Sequence, residues 1–380
     1  LNIILPVGIS FYTFQTLSYV IDVYRGDYPA ERHFGYFALY VTYFPQLVAG
    51  PIEKPGTLLP QLRTPQKFCE DDLFEGAKYL LSGFFRKCVV ADFCGIFVDS
   101  VYADLASANA LAVFAASALF LIQIYNDFAG YSEIALGSAR LMGVKLSKNF
   151  DRPLTSASFT EFFRRWHITL NQWFTQYVYI PLGGSRKGIW RQLLNTMIVF
   201  ALCGLWHGAN WTFVLWGLAA GFFVCVEKLL NKPLARLCER WGMDPDAGGL
   251  RLLRQIAVFL LFVLCCVLFR AQSVQQIGLA YSQLFTGWGF GAEYFAQAFE
   301  SLGMSPLQFA LLFVSLAAMA LVYNFPGWKN SKDLPLDGPY VRVNYNATYN
   351  VFIYGVIAVA LCWLALLANS DVSSFAYFQF

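Results

Sequence analysis

Charge is scarce in this 380-residue sequence: Asp, Glu, Lys and Arg together supply 13 % of it. Average globular chains carry about 25 %, so an ordinary soluble domain is excluded. The net charge of +3 comes without any basic stripe, which excludes nucleic acid as a partner. Histidine is scarcer still. There are three, His33, His167 and His207, and none has cysteine or carboxylate at ligand spacing, which argues against a metal site. The nine cysteines form no C-x-x-C pair, and only Cys265 and Cys266 are adjacent. They read as small packing residues and fix no redox compartment. The sequence opens without an initiator Met or a basic segment, directly on the apolar stretch Leu1–Ile21. That is not a signal peptide, and an upstream portion is expected to be missing. There is no internal repeat.

What fills the sequence is apolar: 57 % hydrophobic residues, 18 % aromatic, mean hydropathy +0.49. This is the composition of a polytopic membrane protein with aromatic belts and an aromatic interior. Uncharged runs of spanning length are Leu1–Ile21, Leu105–Asn126, Leu193–Val226, Ser301–Trp328 and Val343–Ser370, and Gln255–Phe269 is a shorter one between Arg254 and Arg270. His33–Ile52 contains Pro45, Gly50 and Pro51 and reads as broken or re-entrant. Phe74–Tyr102 carries Arg86, Lys87 and Asp92 and should lie partly in the interface or against other helices.

The run Leu193–Val226 as one helix would measure about 51 Å, against about 30 Å of hydrocarbon. It must be two helices, and the natural break is Gly208-Ala-Asn210. Loop charge gives the orientation. Lys228 to Arg254 holds six Lys or Arg, Gln272 to Pro306 holds none, and Lys329 to Asn346 holds three. The positive-inside rule places these in the cytoplasm, outside and in the cytoplasm, leaving the tail Asn369–Phe380 outside. Ser185–Arg191 is cytoplasmic by the same rule. From there Leu193–Trp206 climbs about 21 Å, so His207 is expected inside the membrane.

Between Asp151 and Gly184 the pattern changes. Ser158-Phe-Thr-Glu161 is a capping-box start, and Phe162, Phe163, Trp166, Leu170, Trp173, Phe174 and Tyr177 then recur at helical spacing. Arg164, Arg165, Thr169, Gln172 and Gln176 take much of the rest. An amphipathic interfacial helix is predicted, ended by Pro181-Leu-Gly-Gly184, with His167 and Asn171 on one side of it.

His207, beside a helix break at membrane depth, is the first candidate for function. A neutral imidazole there can take the proton of a hydroxyl. The plainer account is a hydrogen bond to a carbonyl freed by the break. His167 serves equally well as an amphipathic filler, and His33, near the turn Arg25-Gly-Asp-Tyr-Pro29, reads as structural or solvent-facing. Asp127 has a plain account as a carboxylate at a membrane boundary. Arg164, Arg165, Arg186, Lys187 and Arg191 suit either the positive-inside rule or the phosphates of an acyl carrier.

Glu161-Phe-Phe-Arg-Arg-Trp-His167, Tyr179-Ile-Pro-Leu-Gly-Gly184 and Gly204-Leu-Trp-His-Gly-Ala-Asn210 together resemble the membrane-bound O-acyltransferase (MBOAT) family. Its bacterial alginate O-acetyltransferase branch is similar also at Leu5-Pro-Val-Gly-Ile-Ser-Phe-Tyr12, Tyr19-Val-Ile-Asp-Val-Tyr-Arg-Gly26 and Ala49-Gly-Pro-Ile52. The resemblance covers essentially the whole chain. It implies an all-α polytopic membrane protein with broken and re-entrant helices around a central tunnel. Residues 1–380 would form a single membrane domain lacking the family's N-terminal helices.

The resemblance carries the family's membrane histidine onto His207, its second motif residue onto His167, and the branch's Asp-Phe-Ser-Gly-Tyr-Ser-Asp onto Asp127-Phe-Ala-Gly-Tyr-Ser-Glu133. His207 is then the general base or proton shuttle. His167 positions the donor thioester or handles a second proton, and Asp127 gives structural or electrostatic support. Arg164, Arg165, Trp166, Asn171 and Asn210 are the expected substrate contacts, with Asn210 a candidate oxyanion donor. No tightly bound cofactor is implied, the donor substrate being acetyl-CoA or another acyl thioester. The expected acceptor is a polysaccharide or cell-wall hydroxyl, reached with an extracellular partner transferase. The expected location is the bacterial inner or plasma membrane, in contact with lipid. A lipid- or protein-directed acyltransferase of the same family and a transporter or flippase are the rivals.

The chain ends Ser374-Phe-Ala-Tyr-Phe-Gln-Phe380. An aromatic belt accounts for it. The sharper hypothesis, with support from the Gram-positive acylation systems that the chain resembles, makes the Tyr377 phenol a temporary acyl carrier. It predicts an acyl adduct on Tyr377 by intact-mass analysis and lost activity in Tyr377→Phe. No adduct together with full activity of that variant rules it out.

Overall fold

The computed structural model describes residues 8–324 apart from 68, 243, 245 and 246. Their regular structure is helical throughout, with no strand among the described residues. In chain order the helices are α1 (Ile9–Arg25), α2 (Phe34–Thr42), α3 (Pro55–Arg63), α4 (Glu70–Phe84), α5 (Asp92–Ala103), α6 (Ala110–Leu141), α7 (Phe159–Arg165) and α8 (Ile168–Phe174). They continue as α9 (Ile189–His207), α10 (Trp211–Arg240), α11 (Gly248–Arg270), α12 (Val274–Thr286), α13 (Ala292–Ser301) and α14 (Pro306–Asn324). π-helical turns join α4 to α5 (Phe85–Ala91) and extend α8 (Thr175–Tyr179).

Four of these, α6, α9, α10 and α11, are long and apolar enough to cross a membrane. A fifth crossing is available if α13 and residues 306–320, bent by 79°, act as one broken span. The expected pair of helices in Leu193–Val226 is there as α9 and α10, divided at Gly208–Asn210. Asn210 starts α10 by accepting the Thr212 N–H at 3.1 Å. Leu105–Asn126 falls largely in α6, which runs on to Leu141. His33–Ile52 is broken as expected, α2 being only nine residues long. Val343–Ser370 lies outside the described residues.

The reading of Leu1–Ile21 as an uncharged span needs correction. Helix α1 begins at Ile9 and runs past Asp22 to Arg25. One of its faces is polar and buried: Gln15 donates to the Tyr40 carbonyl at 2.5 Å, and Ser18 accepts the Trp173 indole N–H at 2.9 Å. Asp22 accepts the Tyr177 hydroxyl at 2.7 Å. These bonds tie α1 to α2 and α8, so its charge is satisfied inside the protein.

Helix α6 is the axis of the bundle, with α4, α5, α11 and α12 packed on it. Two glycine pairs set how closely α4 approaches. A Cβ on Gly83 would stand 2.7 Å from the Gly130 carbonyl oxygen, and one on Gly130 would stand 2.7 Å from that of Gly83. Gly76 and Gly137 repeat the arrangement, at 3.0 and 2.7 Å. The four glycines bring two antiparallel backbones into contact, as small residues do between membrane helices. Gly204 and Gly217 do the same for α9 and α10, where a Cβ would collide with the carbonyl oxygens of Phe213 and Phe200.

Gly130→Val is therefore expected to destabilise the protein by about 1–3 kcal/mol through overpacking. Gly278→Ala, on α12 with open space around it, is expected to be neutral or stabilising by up to about 1 kcal/mol. Thermal unfolding in detergent checks both, and an unchanged midpoint for Gly130→Val contradicts the packing argument.

Candidate active site

Helix α7 starts as its capping box predicts: Ser158 Oγ accepts the Glu161 N–H at 3.0 Å, and the Glu161 carboxylate reaches back to the Ala157 N–H at 2.8 Å. The helix does not continue to Tyr177 as the spacing of its aromatics suggested. It stops at Arg165, and His167 sits in the left-handed region at φ 42°.

The cause lies outside the segment. Residues 149–151 run alongside the break, where the Asn149 carbonyl accepts the Ile168 N–H at 2.9 Å and the Arg165 carbonyl accepts the Asp151 N–H at 2.8 Å. Asn171 closes the end of α7 by donating to the carbonyls of Phe163, Trp166 and His167 at 3.0, 2.6 and 3.2 Å. The backbone groups released by the interruption are thus satisfied. Thr169, expected on the polar face, is buried and accepts the Ile52 N–H at 3.0 Å. The two short helices are buried against the bundle and do not form one interfacial helix.

The break delivers the His167 side chain into the protein, where it is 2 % exposed. Its ring stacks on Phe11 with centroids 6.1 Å apart and meets Phe128 edge-on at 4.6 Å. His207, the last residue of α9, meets Trp216 and Phe269 edge-on at 5.2 and 5.1 Å. Trp206 stands between the imidazoles, 6.1 Å from His167 and 4.7 Å from His207.

Both histidines border one cavity with about 520 Å³ of space free of protein atoms, mouth included. Phe120, Ile124 and Phe128 of α6, Phe162, Phe163 and Trp166 of the α7 segment, and Phe262, Cys266 and Phe269 of α11 complete much of its wall. Two imidazoles in an otherwise aromatic and aliphatic lining combine groups that can exchange a proton with walls that suit an apolar chain.

The cavity is tied to opposite sides of the bundle. The start of α7 is held by the basic stretch Lys228–Arg254: Arg251 pairs with Glu161 at 3.3 Å and Arg254 donates to the Ala157 carbonyl at 3.2 Å. At the other end Asn210, three residues after His207, donates to the Gln272 carbonyl at 3.1 Å. Gln272 opens the stretch that contains no Lys or Arg. Helix α9 spans about 27 Å between these sides.

The remaining candidates divide. Trp166 borders the cavity and stacks on Phe162 at 5.3 Å. Arg164 is exposed, while Arg165 pairs with Glu161 at 2.7 Å. Asn171 and Asn210 serve the helix ends just described. Asp127 is 1 % exposed on α6 and pairs with the Lys87 ammonium at 2.8 Å, beside a second buried pair of Arg86 with Glu133 at 3.0 Å. It is not among the residues bordering the cavity. Tyr377 lies outside the described residues.

Asn149 and Trp206 went unremarked in the sequence. Asn149 lies in a loop, Lys148-Asn-Phe-Asp151, with no motif around it, and Trp206 looked like a flank of His207. Glu53 anchors the Asn149 segment from below: its carboxylate accepts the Ser147 backbone N–H and the Ser147 hydroxyl. Burial pushes Glu53 up to about 7 against those bonds.

Comparison with known proteins places this arrangement. Residues 32–240 match the family model for MBOAT, the membrane-bound O-acyltransferase family. The chain is 33 % identical to the probable alginate O-acetylase AlgI of Pseudomonas putida over 100 % of its own length and 76 % of the relative's. It is 34 % identical to the probable alginate O-acetylase AlgI of Pseudomonas aeruginosa over 89 % of its length and 64 % of the relative's. It is also 34 % identical to the peptidoglycan O-acetyltransferase of Helicobacter pylori, over 60 % of its length and 48 % of the relative's. The chain thus spans less than two thirds of the last two proteins. It belongs to the membrane-bound O-acyltransferase family, as a multi-pass membrane protein of the acyltransferase class whose substrate includes an acyl donor.

Lys87→Met leaves Asp127 without its ammonium partner and is expected to destabilise the fold by about 3–5 kcal/mol. Lys87→Met/Asp127→Leu should recover a large part of the loss. Thermal unfolding of the two variants checks this, and a midpoint for Lys87→Met equal to wild type contradicts a structural role for the pair.

Proposed function

We propose that the protein transfers an acetyl group from acetyl-CoA, on the cytosolic side of a bacterial plasma membrane, toward a hydroxyl of a polysaccharide or cell-wall polymer outside. The observation that carries this reading is a cavity that both His167 and His207 border, tied to both sides of the bundle. The names of the relatives, alginate O-acetylases and a peptidoglycan O-acetyltransferase, support a carbohydrate-polymer acceptor. Arg164, exposed on the basic side, and the neighbouring cations suit the donor's phosphates. An extracellular partner transferase completes delivery to the polymer.

In this mechanism the acyl thioester enters from the basic side and seats its acyl group in the aromatic cavity. His207, at the outward end, takes the proton of the acceptor hydroxyl. The hydroxyl oxygen attacks the thioester carbonyl carbon, the C–O bond forms and the C–S bond breaks. The departing thiolate takes up the proton that His207 accepted, and the imidazole returns to the neutral form. The products are the O-acyl ester and the free thiol. The dry lining keeps water from competing for the thioester.

Cells expressing the full-length protein with and without His207→Ala provide the test. The expected result is cell-surface ester content lowered at least about 100-fold, the scale of a lost general base, with unchanged protein level in the membrane. Ester content equal to wild type removes the catalytic assignment. Movement of a polymer that needs no acyl donor and survives the substitution would favour the transporter instead.

A further inference from the structure

His167 has two ring nitrogens in different surroundings. Nδ1 lies 3.2 Å from Asn149 Oδ1. The same oxygen accepts the Thr169 backbone N–H at 3.3 Å and the Thr169 hydroxyl at 2.8 Å. A backbone N–H can only donate, so the end of the Asn149 amide facing the ring is its oxygen. An oxygen engaged as an acceptor cannot donate to the imidazole. Nδ1 must therefore carry the hydrogen, and in the neutral ring Nε2 is left with a bare lone pair. That atom is buried, and among the described residues nothing hydrogen-bonds to it. The ring borders the cavity.

We infer that Asn149 is a positioning residue that locks His167 in the Nδ1–H tautomer, so that Nε2 serves the cavity as a proton acceptor. This rests on the acyl-transfer reading and decides between two roles for His167. A neutral ring with a bare Nε2 cannot donate a hydrogen bond to a thioester carbonyl, so His167 does not polarise the donor. It takes the second place in a proton relay. The proton lifted from the acceptor hydroxyl by His207 passes through the cavity to His167 Nε2 and from there to the departing thiolate, leaving both rings neutral. The backbone geometry serves the same end. His167 is in the left-handed region, and the bond from Ile168 N–H to the Asn149 carbonyl fixes the chain on which the ring is carried.

The 380 residues hold three histidines, and single substitution assigns the ring signals of each. The full-length protein labelled with ¹⁵N-histidine and examined by NMR should show His167, assigned by its loss in His167→Gln, with a protonated Nδ1 and an unprotonated Nε2. In Asn149→Leu the Nδ1–H signature should be lost and acetyl transfer should fall at least about 100-fold. Asn149→Asp, which keeps an acceptor oxygen for Nδ1–H and for Thr169, should retain the signature and stay within about tenfold of wild type. An Nε2–H tautomer in the wild type overturns the inference, whatever the activities. So does an Asn149→Leu protein that is folded and fully active. If the tautomer is as stated but His167→Gln and His207→Ala both transfer acetyl normally, the placement of the transfer at these two imidazoles fails; if the wild type itself transfers no acetyl, it is the acyl-transfer reading that fails.

Discussion

An aromatic helix of this composition would, if continuous, carry the His167 ring along its surface in register with Phe163 and Asn171. The loop at Asn149 prevents that by taking the backbone N–H of Ile168 and the hydroxyl of Thr169 for itself. Asn171 absorbs the carbonyls left over at the end of α7. The interruption costs helical hydrogen bonds, and bonds to an asparagine or to the loop backbone replace several of them. In a lipid-covered bundle such replacement is a condition for any broken helix. The buried position of the His167 imidazole follows from this one interruption.

Around the break the bundle is assembled with little help from the hydrophobic effect, which is weak between helices in lipid. Close backbone approach does the work between α4 and α6 and between α9 and α10, where glycines face carbonyl oxygens. Charge is kept inside the protein. Lys87 with Asp127, and Arg86 with Glu133, join the π-helical turn after α4 to the middle of α6. A π turn widens the helix by one residue per turn, and here it falls on the stretch that carries both cations. The polar face of α1 repeats the rule with Gln15, Ser18 and Asp22.

Much of this was legible in residue order. Run lengths gave α6, α10 and α11, and the excess length of Leu193–Val226 required the turn that leaves His207 at a helix end. The capping box at Ser158 marked the start of α7 to the residue. What stayed hidden depends on distant partners. Nothing at Trp166-His167 signals a break, since no Gly or Pro is present and the aromatic spacing runs straight through it. The left-handed backbone there is imposed by Asn149, eighteen residues earlier in the chain. Asp127 looked like a boundary carboxylate because Lys87, its partner, lies forty residues away. The glycine pairs of α4 and α6 share a seven-residue spacing, but only the fold puts Gly83 against Gly130. Local patterning specified the elements, and long-range hydrogen bonds specified the site.

The central claim is that one cavity presents both imidazoles to an acyl group. It is tested most directly by an experimental structure of the full-length protein bound to a non-reactive thioether analogue of acetyl-CoA. The account predicts the two-carbon end of the analogue between Trp166 and Phe269, with its carbonyl-equivalent atom within about 4 Å of His167 or His207, and the pantetheine leading toward the start of α7. An analogue whose two-carbon end lies outside this cavity, with both imidazoles untouched, would contradict it.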